Sequence, residues 1–153
     1  MSMEKARKFL AAAGYADRLI EPEASTATVP LAAQALGVSA GEIAKTLSFS
    51  LGEKAILIVM KGDARIQNRK FKDRFRTKAK MLPPERVEEL VGHEPGGVCP
   101  FGVREDVAVY LDLSLQEYEY IYPAAGNDHS AVKLTPEELF RISGAAGWVD
   151  VSR

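Results

Sequence analysis

The sequence contains few of the residues from which metal centres and disulfide frameworks are built. Its 153 residues include one cysteine, Cys99, and two histidines, His93 and His129. A single cysteine cannot form an intramolecular disulfide, and a structural zinc site typically needs four cysteine or histidine ligands. We therefore expect no structural zinc site and no intramolecular disulfide, and this cysteine usage fits a reducing cytoplasm.

Long apolar runs and familiar catalytic motifs are also missing. The longest unbroken apolar run, Ala55–Met60, is far shorter than the ~20 residues that a membrane-spanning helix needs. The N-terminal residues are charged and do not resemble a secretory signal. The sequence has no Gly-x-Ser-x-Gly, no phosphate-binding P-loop and no His-Glu-x-x-His. We therefore expect a soluble protein whose chemistry does not depend on any of these three motifs.

Charge is balanced overall but unevenly distributed along the chain. The net charge is −1, from 20 basic and 21 acidic residues. Residues 61–80 contain nine lysines and arginines and two aspartates, a local charge of +7 that leaves −8 for the remainder. Such a segment can bind a polyanion locally. The alternative interpretation is a solvated helix face.

The pattern of apolar residues predicts a single mixed α/β domain over residues 1–153. Lys45–Leu51 alternates with a period of two and Lys54–Lys61 is almost wholly apolar, so the two segments predict a hairpin. A basic helix is expected over 68–75, with Asn68 as its cap. The short strands and helices that follow lack the regular βα alternation of a doubly wound sheet, which favours a mixed architecture rich in hairpins.

Lys45 is a charged residue on the apolar face of its predicted strand. It shares that face with Leu47 and Phe49. Burying an ammonium group without partners costs free energy on the order of several kcal/mol, so Lys45 must reach a cavity, a partner or the rim of the sheet. It is therefore either a site lysine or a lysine that extends along the strand end into water.

Residues 92–102 contain four glycines and two prolines, a composition that excludes a helix or a central strand. Such a composition is typical of a loop with a fixed shape. The backbone N–H groups of Gly96, Gly97, Val98 and Cys99 can face one concavity and receive negative charge. The alternative is a turn-rich connector between two strands.

Three further side chains each have two interpretations. Cys99 can be a nucleophile with His93 or His129 as its base, or an inert cysteine in a tight loop. His93 follows the predicted end of a helix and can simply interact with the helix dipole. His129, in the polar turn 127–129, is either a surface residue or one that orients substrate or water. Together, the candidate residues suit an enzyme that holds a polyanion and cleaves a reactive bond with fixed amides and a positioned water.

Several short segments occur in the order found in one known family. Their sequences are Ala-Ala-Gln-Ala-Leu-Gly-Val (32–38), Ile-Ala-Lys-Thr-Leu (43–47), Val-Met-Lys-Gly-Asp (59–63), Gly-His (92–93), Gly-Gly-Val-Cys-Pro-Phe-Gly (96–102), Ala-Gly (125–126) and Val-Lys-Leu (132–134). The Gly-Gly-Val-x-Pro-Phe-Gly loop together with the upstream Lys-Thr-Leu is the most specific part. On these residues the chain, over 25–143, resembles the YbaK/ProX aminoacyl-tRNA deacylases, relatives of the editing domain inserted in bacterial prolyl-tRNA synthetases.

The resemblance implies a barrel-like mixed sheet surrounded by helices. It also implies hydrolysis of the ester of an amino acid wrongly attached to tRNA, often tRNA for proline, by a free-standing cytoplasmic protein that uses no metal or cofactor. The expected partners are aminoacyl-tRNA and, in a transient complex, an aminoacyl-tRNA synthetase.

The resemblance also implies site residues. Lys45 resembles the site lysine of the family, and amides within the 96–102 loop would hold the ester. The resulting catalytic candidates are Lys45, Gly97, Cys99 and His129. The substrate-binding candidates are Thr46, Gly96, Val98, Pro100, Phe101, Gly102, Asn127 and Asp128. The candidates for tRNA binding are Arg65, Arg69, Lys70, Lys72 and Arg76.

The sequence departs from the family pattern in two places. Cys99 stands where serine is usual, a conservative change if the backbone N–H does the work. Residue 131 is alanine where some subfamilies carry an aspartate nearby, which weakens a transfer of cysteine specificity. The expected amino acid is therefore a small one, among Ala, Ser, Thr and Cys, with the first three favoured. The alternative functions are a non-catalytic nucleic-acid-binding module that uses 61–80, and a cysteine hydrolase or redox sensor centred on Cys99.

Overall fold

The computed structural model describes residues 2–95 and 98–153. Five helices and seven strands occur among the described residues. The helices are α1 (Ser2–Ala12), α2 (Val29–Leu36), α3 (Asn68–Phe75), α4 (Pro84–Val91) and α5 (Pro136–Ile142). The strands are β1 (Leu19–Ile20), β2 (Ile43–Leu51), β3 (Lys54–Lys61), β4 (Ala108–Asp112), β5 (Tyr122–Pro123), β6 (Ala131–Val132) and β7 (Gly147–Val149). No helix in these ranges is long and apolar enough to cross a membrane.

A five-stranded mixed sheet, in the order β5-β2-β3-β4-β7, forms the centre of the fold, and β1 and β6 make a separate two-stranded pair. The predicted hairpin is confirmed: β2 and β3 are antiparallel, with Lys45 opposite Met60 and Thr46 opposite Val59. The expectation of a fold rich in hairpins holds only in part. The other three pairings of the sheet are parallel, whereas an antiparallel bridge joins Ile121 and Leu134. Parallel neighbours need a crossover connection, and helices lie in the connections from β3 to β4 and from β4 to β7.

The central strand β3 is buried on both faces, which explains its continuous apolar sequence. Ile56, Ile58 and Met60 belong to one hydrophobic cluster, with Phe71 and Phe75 of α3. The alternating residues of β3 belong to a second cluster, which includes residues of α1, α4 and α5. The sheet is therefore a middle layer with helices on both faces, and the predicted mixed α/β fold class is confirmed.

Side-chain caps fix the N-termini of three helices. The Thr28 hydroxyl accepts a hydrogen bond from the Leu31 N–H at 3.3 Å to cap α2, and Thr135 and Glu138 form a capping box at α5. At α3 the predicted cap, Asn68, is instead the first helical residue. The side chain of Gln67 caps this helix.

Candidate functional site

A cavity of about 150 Å³ opens where α2, the first half of β2 and the loop of residues 92–102, which we call the Gly/Pro loop, meet. Its lining residues are mostly small, and several carry hydroxyl groups. They are Thr26, Ala27, Thr28, Val29, Ala32, Leu36, Ile43, Ala44, Lys45, Thr46, Pro95, Val98, Tyr122, Ala124, Ser130 and Ala131. The structure thus brings Lys45, Thr46 and Val98, three of the predicted site residues, to one cavity.

Lys45 is held by main-chain carbonyl groups rather than by a carboxylate. Its ammonium donates hydrogen bonds to the carbonyl oxygen of Gly62, at 3.1 Å, and to that of Ala64. Burial lowers the pKa of Lys45 from its ordinary value, an effect that Asp63 opposes and Arg65 reinforces. The sequence places the Lys45 ammonium on an apolar face. Two carbonyl groups from the segment that follows β3 give it the polar partners that it needs.

Gly62 has no space for a side chain. A Cβ atom there would lie 2.1 Å from the Ala40 carbonyl oxygen and 2.7 Å from Cγ1 of Val29. Val29 lines the cavity, so the absence of a side chain at Gly62 lets the carbonyl that holds Lys45 pass directly beneath the cavity wall. Glycine at this position is explained by close approach rather than by a left-handed backbone.

The hydroxyl oxygen of Thr46 is buried and has no hydrogen-bond partner among residues 2–95 and 98–153. Buried polar atoms normally have a partner, and Thr46 lines the cavity. The hydroxyl is therefore available to a polar group of a bound molecule or to water.

The structure divides the predicted Gly/Pro loop into parts with different roles. Pro95 and Val98 line the cavity, whereas Cys99 and Phe101 are fully buried in the core. The Phe101 ring packs against that of Phe9, with centroids 6.1 Å apart. Pro100 is buried as well, and Gly102 has a φ of +68°. The predicted site residues Gly96 and Gly97 lie outside the described residues.

Four residues of that loop were predicted to act at the site but do not reach the cavity wall. Cys99, Pro100, Phe101 and Gly102 are absent from its lining. A Cβ atom on Gly102 would lie 3.2 Å from the carbonyl oxygen of Lys5, so this glycine packs against α1. The second half of the loop, residues 99–102, therefore anchors the loop to the core.

Cys99 and His93 lie close together but have the wrong protonation for nucleophilic catalysis. The Sγ atom of Cys99 is 3.5 Å from Nε2 of His93, and both residues are fully buried. Burial raises the pKa of the Cys99 thiol to about 12 and lowers the pKa of His93. The pair is thus a neutral thiol beside a neutral imidazole, whereas a nucleophilic cysteine needs the thiolate, so the geometry argues against the cysteine-hydrolase alternative.

The Asn127–His129 turn borders the cavity without lining it. The N–H of Thr26 donates to the Asp128 carbonyl at 2.6 Å, and both Thr26 and Ser130 belong to the cavity lining. The side chain of His129 is 48% exposed, with Nδ1 2.8 Å from Oδ1 of Asp128. The carboxylate of Asp128 therefore orients the exposed imidazole, while Asn127 caps the turn by accepting the His129 N–H at 2.9 Å.

The predicted basic residues form an exposed surface, which we call the basic face. It is defined by Arg65, Arg69, Lys70, Lys72 and Arg76, all exposed. Lys70 also contacts Asp150 and the Ser152 carbonyl, each at 3.0 Å. Arg65 pairs through its backbone with Arg153, so the C-terminal residues hold this face. Arg65 directly follows Ala64, one of the acceptors of the Lys45 ammonium.

The sequence analysis missed much of the cavity wall. Thr26, Thr28, Tyr122 and Ser130 line the cavity but were not among the candidates. Tyr122 lies in a two-residue strand, and Ser130 directly precedes another. The sequence signals for the wall were the motifs 32–38, 43–47 and 96–102 and the alanine at position 131. Nothing in the chain outside residues 96–97 groups three or more histidine, cysteine, aspartate or glutamate residues as a metal site.

Comparison with known proteins gives a consistent result. A family model described as an aminoacyl-tRNA editing domain matches residues 23–142. The uncharacterized protein YwhH of Bacillus subtilis is 46% identical over all of this chain and 98% of its own length. EbsC of Enterococcus faecalis, described as a candidate Cys-tRNA(Pro)/Cys-tRNA(Cys) deacylase, is 29% identical over 72% of this chain and 69% of its own.

A proline–tRNA ligase and a solved structure extend the comparison. The ligase of Desulfitobacterium hafniense is 31% identical over 76% of this chain, which corresponds to 21% of the ligase. The crystal structure of a protein described as a candidate trans-editing enzyme for prolyl tRNA synthetase superposes with a TM-score of 0.88 at 31% identity, covering 99% of this chain and 97% of the other. The predicted fold and the predicted resemblance are both confirmed, and the chain belongs to the aminoacyl-tRNA editing domain family.

Proposed function

We propose that the protein hydrolyses the ester bond between tRNA and a wrongly attached small amino acid. The observation that carries the proposal is the small cavity of about 150 Å³, with Lys45 and Thr46 in its wall, in a member of the editing domain family. Pockets for drug-sized ligands are typically ~300–1,000 Å³. The smaller cavity suits the side chain of Ala, Ser or Thr better than a large side chain.

The reaction assigned to the site is attack by water on the ester carbonyl carbon. The tetrahedral intermediate then releases the amino acid as its carboxylate and leaves the terminal ribose hydroxyl on the tRNA. Amides of the Gly/Pro loop would stabilise the developing oxyanion, and His129 would orient the water. Lys45 would hold the anionic tRNA end or the aminoacyl group, and Thr46 would accept or donate one hydrogen bond to the substrate.

The basic face offers a docking surface for the remainder of the tRNA. Its positive side chains suit contacts with phosphate groups, which position a nucleic acid without reading its sequence. The similarity to proline–tRNA ligases supports tRNA for proline as the carrier, with a transient complex with the synthetase as the means of delivery. A substrate of this kind would place the protein in the cytoplasm.

A panel of charged tRNAs tests the proposal. Purified protein is incubated with tRNA for proline charged with Ala, Ser, Thr, Cys or Pro, and loss of the ester is followed over time. We expect cleavage of one or two mischarged species and no cleavage of the correctly charged one. Uniform cleavage of all five species would contradict selective editing.

The non-catalytic alternative rests on the basic face alone. If no species is cleaved while tRNA binding is retained with a steep dependence on salt, the chain is a nucleic-acid-binding module. The same panel therefore separates the two functions.

A further inference from the structure

The Gly/Pro loop is closed at its base by two hydrogen bonds. The Arg104 N–H donates to the Val91 carbonyl at 3.0 Å. One layer further in, Nε2 of His93 lies 2.6 Å from the Phe101 carbonyl oxygen, a contact that spans eight residues. The second contact encloses Pro95 and Val98, the two described loop residues that line the cavity. The position of the cavity-lining part of the loop therefore depends on His93.

The contact with Phe101 fixes the tautomer of His93. A carbonyl oxygen only accepts hydrogen bonds, so Nε2 must carry the proton and donate it. The other ring nitrogen, Nδ1, is then unprotonated, and it is buried with no partner among the described residues. The thiol of Cys99 also reaches the Phe101 carbonyl, at 3.7 Å. This carbonyl thus joins both side chains to the second half of the loop.

The surroundings of His93 disfavour a second proton. The Lys5 ammonium of α1 donates to the Gly92 carbonyl at 3.3 Å, and Arg104 also packs near Gly92. Cys99 contacts the ring as an uncharged thiol, and Glu94 is exposed. Burial lowers the pKa of His93 below its ordinary value; the hydrogen bond to the Phe101 carbonyl opposes this shift and the charge of Lys5 reinforces it.

We propose that His93, in its neutral form with the proton on Nε2, is a positioning residue that holds the Gly/Pro loop in the shape required for ester hydrolysis. The proposal rests on the function proposed above. His93 lies beneath the loop rather than in the cavity lining, so it acts through the backbone it holds. A second proton on Nδ1 would place a positive charge in a buried site beside Lys5, and the loop would have to open to solvate it.

The sign of the pH dependence follows from this arrangement. The unfolded chain takes up a proton on His93 near the ordinary histidine value of about 6.5, whereas the folded chain takes it up only at lower pH. The contribution of His93 to stability is therefore complete above that value and is lost as the pH falls from there towards the pKa of the folded protein. Loop order and activity should decline over the same acid range.

The first test measures the tautomer and needs no substrate. Long-range proton–nitrogen NMR spectra of the labelled protein contain signals from two histidines, and His93→Gln identifies which pair belongs to His93. We expect a proton on Nε2 and a titration below the ordinary value. A proton on Nδ1, or titration at about 6.5 or above, would overturn the proposal.

The second test separates positioning from a merely structural role. The substrate is Ala-charged tRNA for proline, or whichever species of the panel is cleaved fastest. We expect His93→Ala to lower kcat about tenfold or more with little change in KM, because misplacement of a catalytic group by about 1 Å can cost 100-fold. His93→Gln, which can still donate to the Phe101 carbonyl, should restore most of kcat and remove the decline at acid pH. Equal kcat values in the two variants would contradict the proposal.

Amide hydrogen exchange covers the case in which no tRNA is cleaved or His93→Ala is unstable. Exchange at Val98, Cys99 and Phe101 should be faster in His93→Ala and near the wild-type rate in His93→Gln. If His93→Ala does not fold, wild-type exchange should instead accelerate as the pH falls through the titration of His93, after correction for intrinsic rates. Unchanged protection would overturn the role of His93, whereas absence of cleavage with the expected exchange would leave that role standing and reject the proposed function.

Discussion

The cavity and the basic face are formed by neighbouring stretches of chain, but they differ in burial and in how firmly their charged side chains are held. The cavity wall consists mostly of small residues that are buried or half-buried, and its lysine is held by two backbone carbonyls. The basic face consists of exposed side chains above the aromatic pair Phe71 and Phe75. Bond cleavage requires atoms fixed within fractions of an ångström, whereas attraction of a polyanion requires only charge in the right region. Substitutions should therefore affect turnover at the cavity and affinity at the basic face.

The strongest way to separate the two regions is to remove the charge of Lys45. We expect Lys45→Met to lower kcat/KM for ester hydrolysis about 100-fold, which corresponds to about 2.7 kcal/mol. The reason is that the substrate loses its contact with the Lys45 ammonium, while methionine keeps the apolar stem of the side chain. Binding of uncharged tRNA should change little. The measurement is deacylation kinetics together with tRNA titration.

Lys54 provides the matched control for Lys45. It starts β3 in the same hairpin but is exposed, so Lys54→Met should leave both kinetics and binding near the wild-type values. Full activity of Lys45→Met would remove Lys45 from the site and with it the distinction between the two regions.

The second largest effect concerns how the basic face is held. The buried carboxylate of Asp112 accepts hydrogen bonds from Ser114 N at 3.1 Å, Val151 N at 2.9 Å and Ser152 Oγ at 2.6 Å. Asp112→Ala leaves three donors without their acceptor, and we expect a loss of about 2 kcal/mol in the free energy of unfolding, measured in urea.

Asp150 is the control for Asp112, because it contacts Lys70 from the same C-terminal segment but lies at the surface. Asp150→Ala should change stability little, as for most exposed ion pairs. Equal losses in the two variants would show that the C-terminal segment is held by its surface pair and not by Asp112.

The basic face itself should respond through salt. Arg69→Gln combined with Lys72→Gln is expected to weaken tRNA binding about tenfold at low salt and to reduce the slope of log affinity against log salt by about two. Hydrolysis at saturating substrate should be unaffected. A double control, Lys8→Gln with Lys54→Gln, removes two exposed charges elsewhere and should leave the slope nearly unchanged.

Features that depend on local sequence patterns could be predicted from the sequence, whereas features that depend on contacts between distant segments could not. The β2–β3 hairpin, the caps of α2 and α5 and the position of Lys45 depend on local patterns, and each could be predicted from neighbouring residues. The parallel strand pairs and the cavity wall depend on contacts between distant segments. Thr26 with Asp128 and Ser130 is one example, and periodicity carries no signal for such contacts. His93 shows the same limit, because the position of a histidine after a helix does not indicate that it closes a loop eight residues long.

The smallest expected effect is at Cys99, although it lies in the most specific motif of the sequence. Cys99→Ser keeps a small donor beside the Phe101 carbonyl, so we expect hydrolysis within about threefold of wild type and a loss of about 1 kcal/mol in stability. Because the thiol is fully buried and burial raises its pKa to about 12, alkylating reagents should react with it slowly in the folded protein. Loss of activity in proportion to alkylation, or its abolition in Cys99→Ser, would restore the cysteine nucleophile. Near-normal activity would instead indicate that the motif acts through the backbone of the loop and that Cys99 belongs to the packing that holds this loop.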